Sequence, residues 1–89
     1  MKLYKKKPIP VEVVQFKNTP ESITELKEWM GDSFGKHRNT ELSIKTLEDG
    51  IDMVVRHIAT ENDYIIKGIQ GEFWAVKPEI FEATYEEIK

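Results

Sequence analysis

The segment DYIIKGIQGEFWAVKPEIF, residues 63–81, holds cationic and aromatic side chains that could bind an anion. Lys67 and Lys77 can each donate charge-assisted hydrogen bonds to a phosphate or a carboxylate. Trp74 lies between them in the sequence and offers a flat face on which a base can stack. These residue types predict a site for a small anionic ligand of the nucleotide type. In such a site both lysines face one concave surface and contribute little to folding.

Three further residues belong to this candidate site. Gly68 and Gly71 bound the turn between two hydrophobic runs, and their lack of a Cβ lets backbone amides approach an anion closely. They do not form a phosphate loop, because no helix is predicted to follow them and present its N-terminus. Arg56, on a neighbouring predicted strand, adds another cation.

An ordinary hairpin is the alternative interpretation of the same segment. Lysines on an edge strand commonly point to water and protect the edge from pairing with another chain. The apolar side chains of the two runs would then pack against a helix; they are Tyr64, Ile66, Phe73 and Val76. The sequence leaves the ligand site and the plain hairpin both open.

Signs of catalysis or metal binding are weak elsewhere in the chain. His37 and His57 are the only histidines, and their spacing matches no metal motif. The chain contains no cysteine, which excludes disulfides, thiolate metal sites and thiol nucleophiles. We therefore predict neither an enzyme nor a bound cofactor or metal.

The formal net charge of −3 hides an uneven distribution. Residues 1–17 carry five lysines and one glutamate, whereas residues 79–89 carry four glutamates and one lysine. One interpretation is a basic arm for nucleic acid and an acidic tail; the favoured one is two neighbouring strands whose charges face each other. Phosphate backbones normally require a concentrated basic face, and the run at residues 36–38 is only a small local one. Nucleic acid is therefore not a predicted partner.

The first strand and the helix are predicted from local patterns. Residues 11–16 are rich in β-branched side chains and follow two prolines, which indicates a strand entered from an irregular segment. Thr19 is a suitable N-cap, and the proline after it fits the first helical position. Apolar residues at helical spacing predict a helix of about eleven residues that ends at Met30, with Trp29 in the core. Gly31 supplies a left-handed stop.

The rest of the chain is predicted to be mostly strand. Residues 32–40 have no periodicity and are expected to form a loop. The elements expected after this loop are strands at 42–47 and 52–58 joined by an Asp49-Gly50 turn, strands at 64–67 and 73–76, a helical turn at 79–82 and a closing strand at 84–88. We expect Ile80 and Phe81 to be buried beneath the closing strand, which would lie beside the first strand.

Length and element order together predict the fold class. Eighty-nine residues fill a single core, so residues 1–89 are expected to form one domain. Strands that follow a single helix favour an α+β fold, with one short helix packed on a mostly antiparallel sheet of about five to six strands. No apolar run approaches the ~20 residues that a membrane span needs, so a cytoplasmic protein without a membrane partner is expected.

The C-terminal third of the chain resembles a widespread family of small proteins encoded by tailed phages and prophages. The resemblance is carried by DYIIKGIQGEFWAVKPEIFEATYEEI, together with KKKPIPVEVVQF near the start. The family pattern is a Gly-Asp-Tyr/Trp-Ile turn and strand, Lys/Thr-Gly, Gly-Glu-Phe/His-Tyr, a Lys-Pro-Asp/Glu-Ile-Phe turn and a closing Thr-Tyr-Glu. The matching residues are Asp63, Tyr64, Ile65, Lys67, Gly68, Gly71, Glu72, Phe73, Lys77, Pro78, Ile80, Phe81, Thr84, Tyr85 and Glu86. Asn62 stands in place of the usual glycine, Trp74 in place of tyrosine, and Ala75-Val76 in place of Pro-Cys.

The resemblance implies a phage gene product that works in the cytoplasm of an infected bacterium. It supplies no established activity that could be transferred to this chain. Small phage proteins often counter host defence, and this analogy suggests either sequestration of a nucleotide messenger or binding of a host protein, with a contribution to phage assembly as a further alternative. A domain of this size has little room for a deep pocket of its own, so a homo-oligomer is expected.

Overall fold

A computed structural model of the protein describes residues 1–5, 9–47 and 54–88. Six strands and two α-helices follow one another within these ranges. In chain order they are β1 (Glu12–Gln15), α1 (Pro20–Met30), a 3-10 turn (Gly31–Ser33), β2 (Phe34–Arg38), β3 (Glu41–Leu47), β4 (Val54–Thr60), β5 (Tyr64–Lys67), β6 (Phe73–Val76) and α2 (Pro78–Thr84). The predicted α+β class is confirmed.

The strands form two antiparallel sheets of three strands each. The first sheet has the order β1-β5-β6 and the second has the order β2-β3-β4. The predicted hairpin of β5 and β6 is present with the expected bounds, and β3 pairs with β4 along its whole length. The Asp49-Gly50 turn that was predicted to join β3 and β4 lies outside the described residues.

Helix α1 begins and ends where its sequence signals predict. The Thr19 hydroxyl accepts a hydrogen bond from the backbone N–H of Ser22 at 3.2 Å, which satisfies one of the N–H groups at the helix start. Gly31 follows the helix with φ of +57°, and its N–H donates to the carbonyl of Lys27. The helix buries Leu26 completely and Met30 almost completely, so its apolar face covers the core.

The core lies between α1 and the inward faces of both sheets. Its buried side chains are Phe16, Leu26, Met30, Leu42, Ile44, Ala59, Ile65 and Phe73. Trp29 is half-buried and packs edge-on against Phe73, with ring centroids 5.0 Å apart. Its indole N–H donates to Glu12 Oε1 at 3.3 Å, so the predicted core position of Trp29 is at the core margin.

The expectation of a loop at residues 32–40 is wrong. This segment forms the 3-10 turn and β2, which pairs with β3 through Phe34 opposite Ile44. A register shift between Phe34 and His37 marks a β-bulge, and the N–H of Lys36 donates there to the Ser43 hydroxyl at 2.8 Å. The bulge interrupts the two-residue alternation by which a strand is recognised from its sequence.

The closing strand expected at residues 84–88 is also wrong. Helix α2 continues to Thr84, whose hydroxyl donates to the carbonyl of Ile80 at 2.7 Å, and residues 85–88 belong to no strand. The Tyr85 N–H donates to the carbonyl of Phe81 at 2.9 Å and the two rings stack, which closes the last turn of the helix. Phe81 is therefore half-buried, and Ile80 is 53% exposed rather than buried.

Candidate functional site

The hairpin of β5 and β6 presents its side chains on two faces. Lys67 lies opposite Phe73 on the inward face, and its Nζ is 5.9 Å from the centroid of the Phe73 ring. Trp74 lies opposite Ile66 on the outer face. Because directly opposed residues of an antiparallel pair share a face and neighbours alternate, Lys67 and Trp74 lie on opposite sides of the sheet.

The ammonium group of Lys77 forms an ion pair with the buried carboxylate of Asp63. Its Nζ lies 3.1 Å from Asp63 Oδ2 and 2.9 Å from Thr60 Oγ1. The Asp63 side chain is only 4% exposed, whereas that of Lys77 is 52% exposed. Asp63 Oδ2 also accepts from the backbone N–H and hydroxyl of Thr60, so this carboxylate organises the turn between β4 and β5. Lys77 supplies the positive charge that balances Asp63. The main role of this ammonium group is therefore to stabilise the fold.

Lys67 and Lys77 do not converge in the described structure. Lys67 is opposite Phe73, and Lys77 follows Phe73 by four residues, which separates the two lysine backbones by roughly 13 Å along an extended strand. Arg56 lies on β4 in the second sheet, opposite Lys45. The ligand hypothesis expected one shared concave surface, and a single copy of the chain does not provide it.

Three backbone N–H groups of the glycine turn between β5 and β6, those of Gly68, Gln70 and Gly71, already donate within the hairpin. The N–H of Gly68 donates to the carbonyl of Glu72 at 2.8 Å, and that of Gly71 donates to the carbonyl of Gly68 at 3.0 Å. The Glu72 carboxylate folds back over Gly68, where Oε1 accepts from the N–H of Gln70 at 3.2 Å. An internal carboxylate therefore occupies the place that the ligand hypothesis gave to a phosphate.

A shallow hollow of about 520 Å³ lies beside this turn. Lys67, Gly68 and Gly71 contribute to its wall together with Glu12, which is the β1 partner of Lys67. The wall thus contains one residue of each charge, Lys67 and Glu12. This is the part of the predicted site that the structure keeps together.

The outer face of the first sheet carries a much larger groove, here called the outer groove. Its floor is formed by β1, β5 and β6, and its walls by α2, residues 85–88 and residues 9–11, which enclose about 1570 Å³. The apolar and aromatic side chains that line it include Val13, Tyr64, Trp74, Val76, Phe81 and Tyr85.

Aromatic rings form one wall of the outer groove. The Phe81 ring stacks on Tyr64 with centroids 3.9 Å apart and on Tyr85 with centroids 5.0 Å apart, both pairs being within 13° of parallel. Trp74, the predicted stacking platform, faces the same groove and is half-buried. Trp74 therefore lies on a different face of the sheet from Lys67.

In the described part of the chain, the charged residues that line the outer groove are all acidic. Among the described residues that line it, the ionisable acids are Glu72, Glu86 and Glu87, and none is a lysine, an arginine or a histidine. A phosphate placed there would meet carboxylates of the same sign. The groove is therefore chemically suited to apolar groups accompanied by positive charge.

Sequence reasoning missed the outer groove, although β5 carries a signal for it. Tyr64, Ile65 and Ile66 are three consecutive apolar residues, and a strand of that kind is covered on both faces. Ile65 and Ile66 are both fully buried although they point in opposite directions. The register of β5 shows that Tyr64, Ile66 and Val76 face outward and Phe73 alone of that predicted set faces α1.

The two histidines occupy unrelated positions. His37 Nε2 lies 2.8 Å from Asn18 Oδ1, and its ring is edge-on to Phe16 with centroids 6.2 Å apart. His57 is exposed on β4. Within the described ranges, no group of three or more histidine, aspartate or glutamate side chains is placed to hold a metal ion.

In the part of the chain that the structure describes, no helix combines the length and the apolar character needed to cross a membrane. Comparison of the chain with protein-family models, with curated proteins and with solved structures finds no match. The functional argument therefore depends on the geometry of the outer groove and of the Lys67 hollow.

Proposed function

We propose that this protein is a non-enzymatic binding module whose outer groove takes an apolar, positively charged segment of a partner polypeptide. The observation that carries the proposal is the outer groove itself, an aromatic surface with an acidic rim. Contiguous apolar surface of this kind on a small protein commonly marks an interaction site, and tryptophan and tyrosine are enriched where binding energy is concentrated.

Three observations favour a polypeptide over a nucleotide. The two lysines of the hairpin are held apart, and Lys77 is committed to Asp63. The amides of the glycine turn donate within the turn. The surface that contains Trp74 is rimmed by carboxylates, which disfavour phosphate and favour ammonium or guanidinium groups.

A nucleotide-type anion is the second candidate, supported by the Lys67 hollow. One lysine beside a glycine turn is a partial anion site, and a symmetric oligomer could complete it with cations from another copy. The resemblance to the tailed-phage family suggests the same biological setting for both candidates. In that setting the protein acts in an infected bacterium, against host defence or in phage assembly.

Native mass spectrometry of protein recovered from infected bacteria tests the proposal. Ile80→Ser removes an apolar side chain that lines the outer groove, and Ile58→Ser is its matched control, because both isoleucines are 53% exposed and Ile58 lies on the other sheet. We expect a polypeptide that is retained by the parent and by Ile58→Ser and lost from Ile80→Ser. A retained nucleotide that is lost from Lys67→Ala and kept by Ile80→Ser would instead establish the second candidate.

A further inference from the structure

Residues 1–5, Met-Lys-Leu-Tyr-Lys, form an arm whose apolar side chains are all exposed. Leu3 is 86% exposed, Tyr4 is 88% exposed and Met1 is fully exposed. Three large apolar side chains within five residues are unusual on a monomer surface, and lysines accompany them at positions 2 and 5. The arm has the composition that the outer groove is suited to bind.

We propose that this arm docks in the outer groove of a second copy of the chain, and that the second copy's arm docks in return. The inference rests on the proposed function, because it takes the outer groove as the binding surface and identifies one segment that fits it. The product is a homodimer in which each groove is completed by the partner's residues 1–5.

Charge complementarity supports this occupant. The arm carries Lys2 and Lys5, and the groove rim carries Glu72, Glu86 and Glu87. Opposite charges at the edge of a contact guide encounter and fix register, while the apolar centre supplies most of the affinity. The same acidic rim that disfavours a nucleotide phosphate favours this arm.

Apolar complementarity supports it as well. Leu3 and Tyr4 are almost fully exposed in the arm, and the groove contains Trp74, Phe81 and Tyr85, against which they can be buried. Tyrosine can stack on aromatic rings while its hydroxyl stays near water, which suits a groove that is open along its length.

The position of the arm along the chain favours exchange between two copies. Ile9 and Pro10 line the outer groove, so the described chain that follows the arm in sequence lies at this surface. A two-fold axis near this point brings each arm to the partner's groove by one and the same contact, which is the self-complementary arrangement of most homodimers. Reciprocal exchange also doubles the area that a single short arm could bury.

Sedimentation velocity over a range of protein concentrations tests the inference. We expect the parent and Ile58→Ser to dimerise. The double substitution Leu3→Ser and Tyr4→Ser, and separately Ile80→Ser, should each raise the dimer dissociation constant by roughly tenfold or more, as expected from the loss of buried apolar side chains. Added salt should weaken the parent dimer, because rim charges are screened. Circular dichroism and thermal melting of each variant confirm that it folds.

Mixing the two defective variants gives the sharper result. The arm variant keeps an intact groove and the Ile80→Ser variant keeps an intact arm, so a mixture can form a heterodimer with one of the two contacts restored. We expect more dimer in the mixture than in either variant alone.

Two outcomes would overturn the inference: a parent that is monomeric at all concentrations, or an arm variant that dimerises as tightly as the parent. The proposed function would survive either result if Ile80→Ser still abolished capture of a polypeptide from infected bacteria. If the parent and Ile80→Ser captured the same polypeptides while the dimer still depended on the arm, the inference would stand and the proposed function would be wrong.

Discussion

Lys77 donates to a carboxylate that is almost fully buried, whereas Lys67 lies over an aromatic ring at the other end of the same hairpin. The two residues are identical in type and are ten positions apart, and the sequence gives no reason to treat them differently. Asp63 makes the difference, because a buried carboxylate depends on its partners for compensation. The sequence-based expectation that both lysines contribute little to folding therefore needs correction for Lys77.

Replacing Lys77 by alanine is expected to lower the free energy of unfolding by roughly 1–3 kcal/mol, because Asp63 keeps its burial and loses its counter-charge. This loss is smaller than the ~3–5 kcal/mol expected when a fully buried ion pair is broken, because the Lys77 side chain is 52% exposed. Urea denaturation of the parent and the variant measures the change.

Lys67→Ala is the matched control and should change stability by less than about 0.5 kcal/mol. Asp63→Asn added to Lys77→Ala should recover part of the loss, because a neutral amide is less costly to bury than an unpaired charge. Equal stability of the two single lysine variants would show that the ion pair does not support the fold.

At the scale of elements, local signals placed those segments whose determinants are close in sequence. Thr19 and Gly31 bound α1 as expected, because capping depends on residues within one turn. The bounds of β5 and β6 were also predicted, since both runs are apolar and a glycine turn separates them. Strand β2 was missed because its pairing depends on β3 and on a bulge, neither of which leaves a periodic pattern.

The bulge in β2 makes Gly35 a sensitive position. A Cβ built at Gly35 would lie 2.5 Å from the carbonyl oxygen of Ser43, which is backbone of the central strand of its sheet. We expect Gly35→Ala to reduce stability by roughly 1–3 kcal/mol, the range for an overpacked site that requires a backbone shift. Thermal melting of Gly35→Ala against Lys36→Ala, an exposed neighbour on the same strand, provides the comparison. Equal melting temperatures would show that β2 moves away from β3 without cost.

Phe81, in helix α2, is another position at which a substitution should reduce stability. Its ring stacks between Tyr64 and Tyr85 but is only half-buried, in contrast to the full burial expected from the sequence. Phe81→Ala should therefore cost about 1–3 kcal/mol, below the ~3–5 kcal/mol typical of a fully buried phenylalanine. Urea denaturation would contradict the stacked arrangement if the loss were negligible or if it reached the value for a full core position.

At the scale of the whole molecule, the two sheets separate two kinds of surface. The inward faces share one core with α1, and the outer face of the first sheet carries the outer groove. The candidate site predicted from sequence was divided by this arrangement, with Trp74 on the groove side and Lys67 on the core side. Spacing along the chain placed these residues near one another, but only strand register determines which face each occupies.

This separation predicts how the protein responds to nucleotides. Calorimetric titration of the parent with a panel of linear and cyclic nucleotides should give no measurable heat, because the aromatic surface is rimmed by Glu72, Glu86 and Glu87 and the lysines lie elsewhere. Each lysine–phosphate contact in a true site would contribute roughly 1.5–3 kcal/mol, so a two-lysine site would be readily detected. Titration of Lys67→Ala alongside the parent identifies the origin of any signal. A heat that is present in the parent and absent from Lys67→Ala would place the nucleotide at the hollow beside the glycine turn and would make sequestration of an anion the leading function.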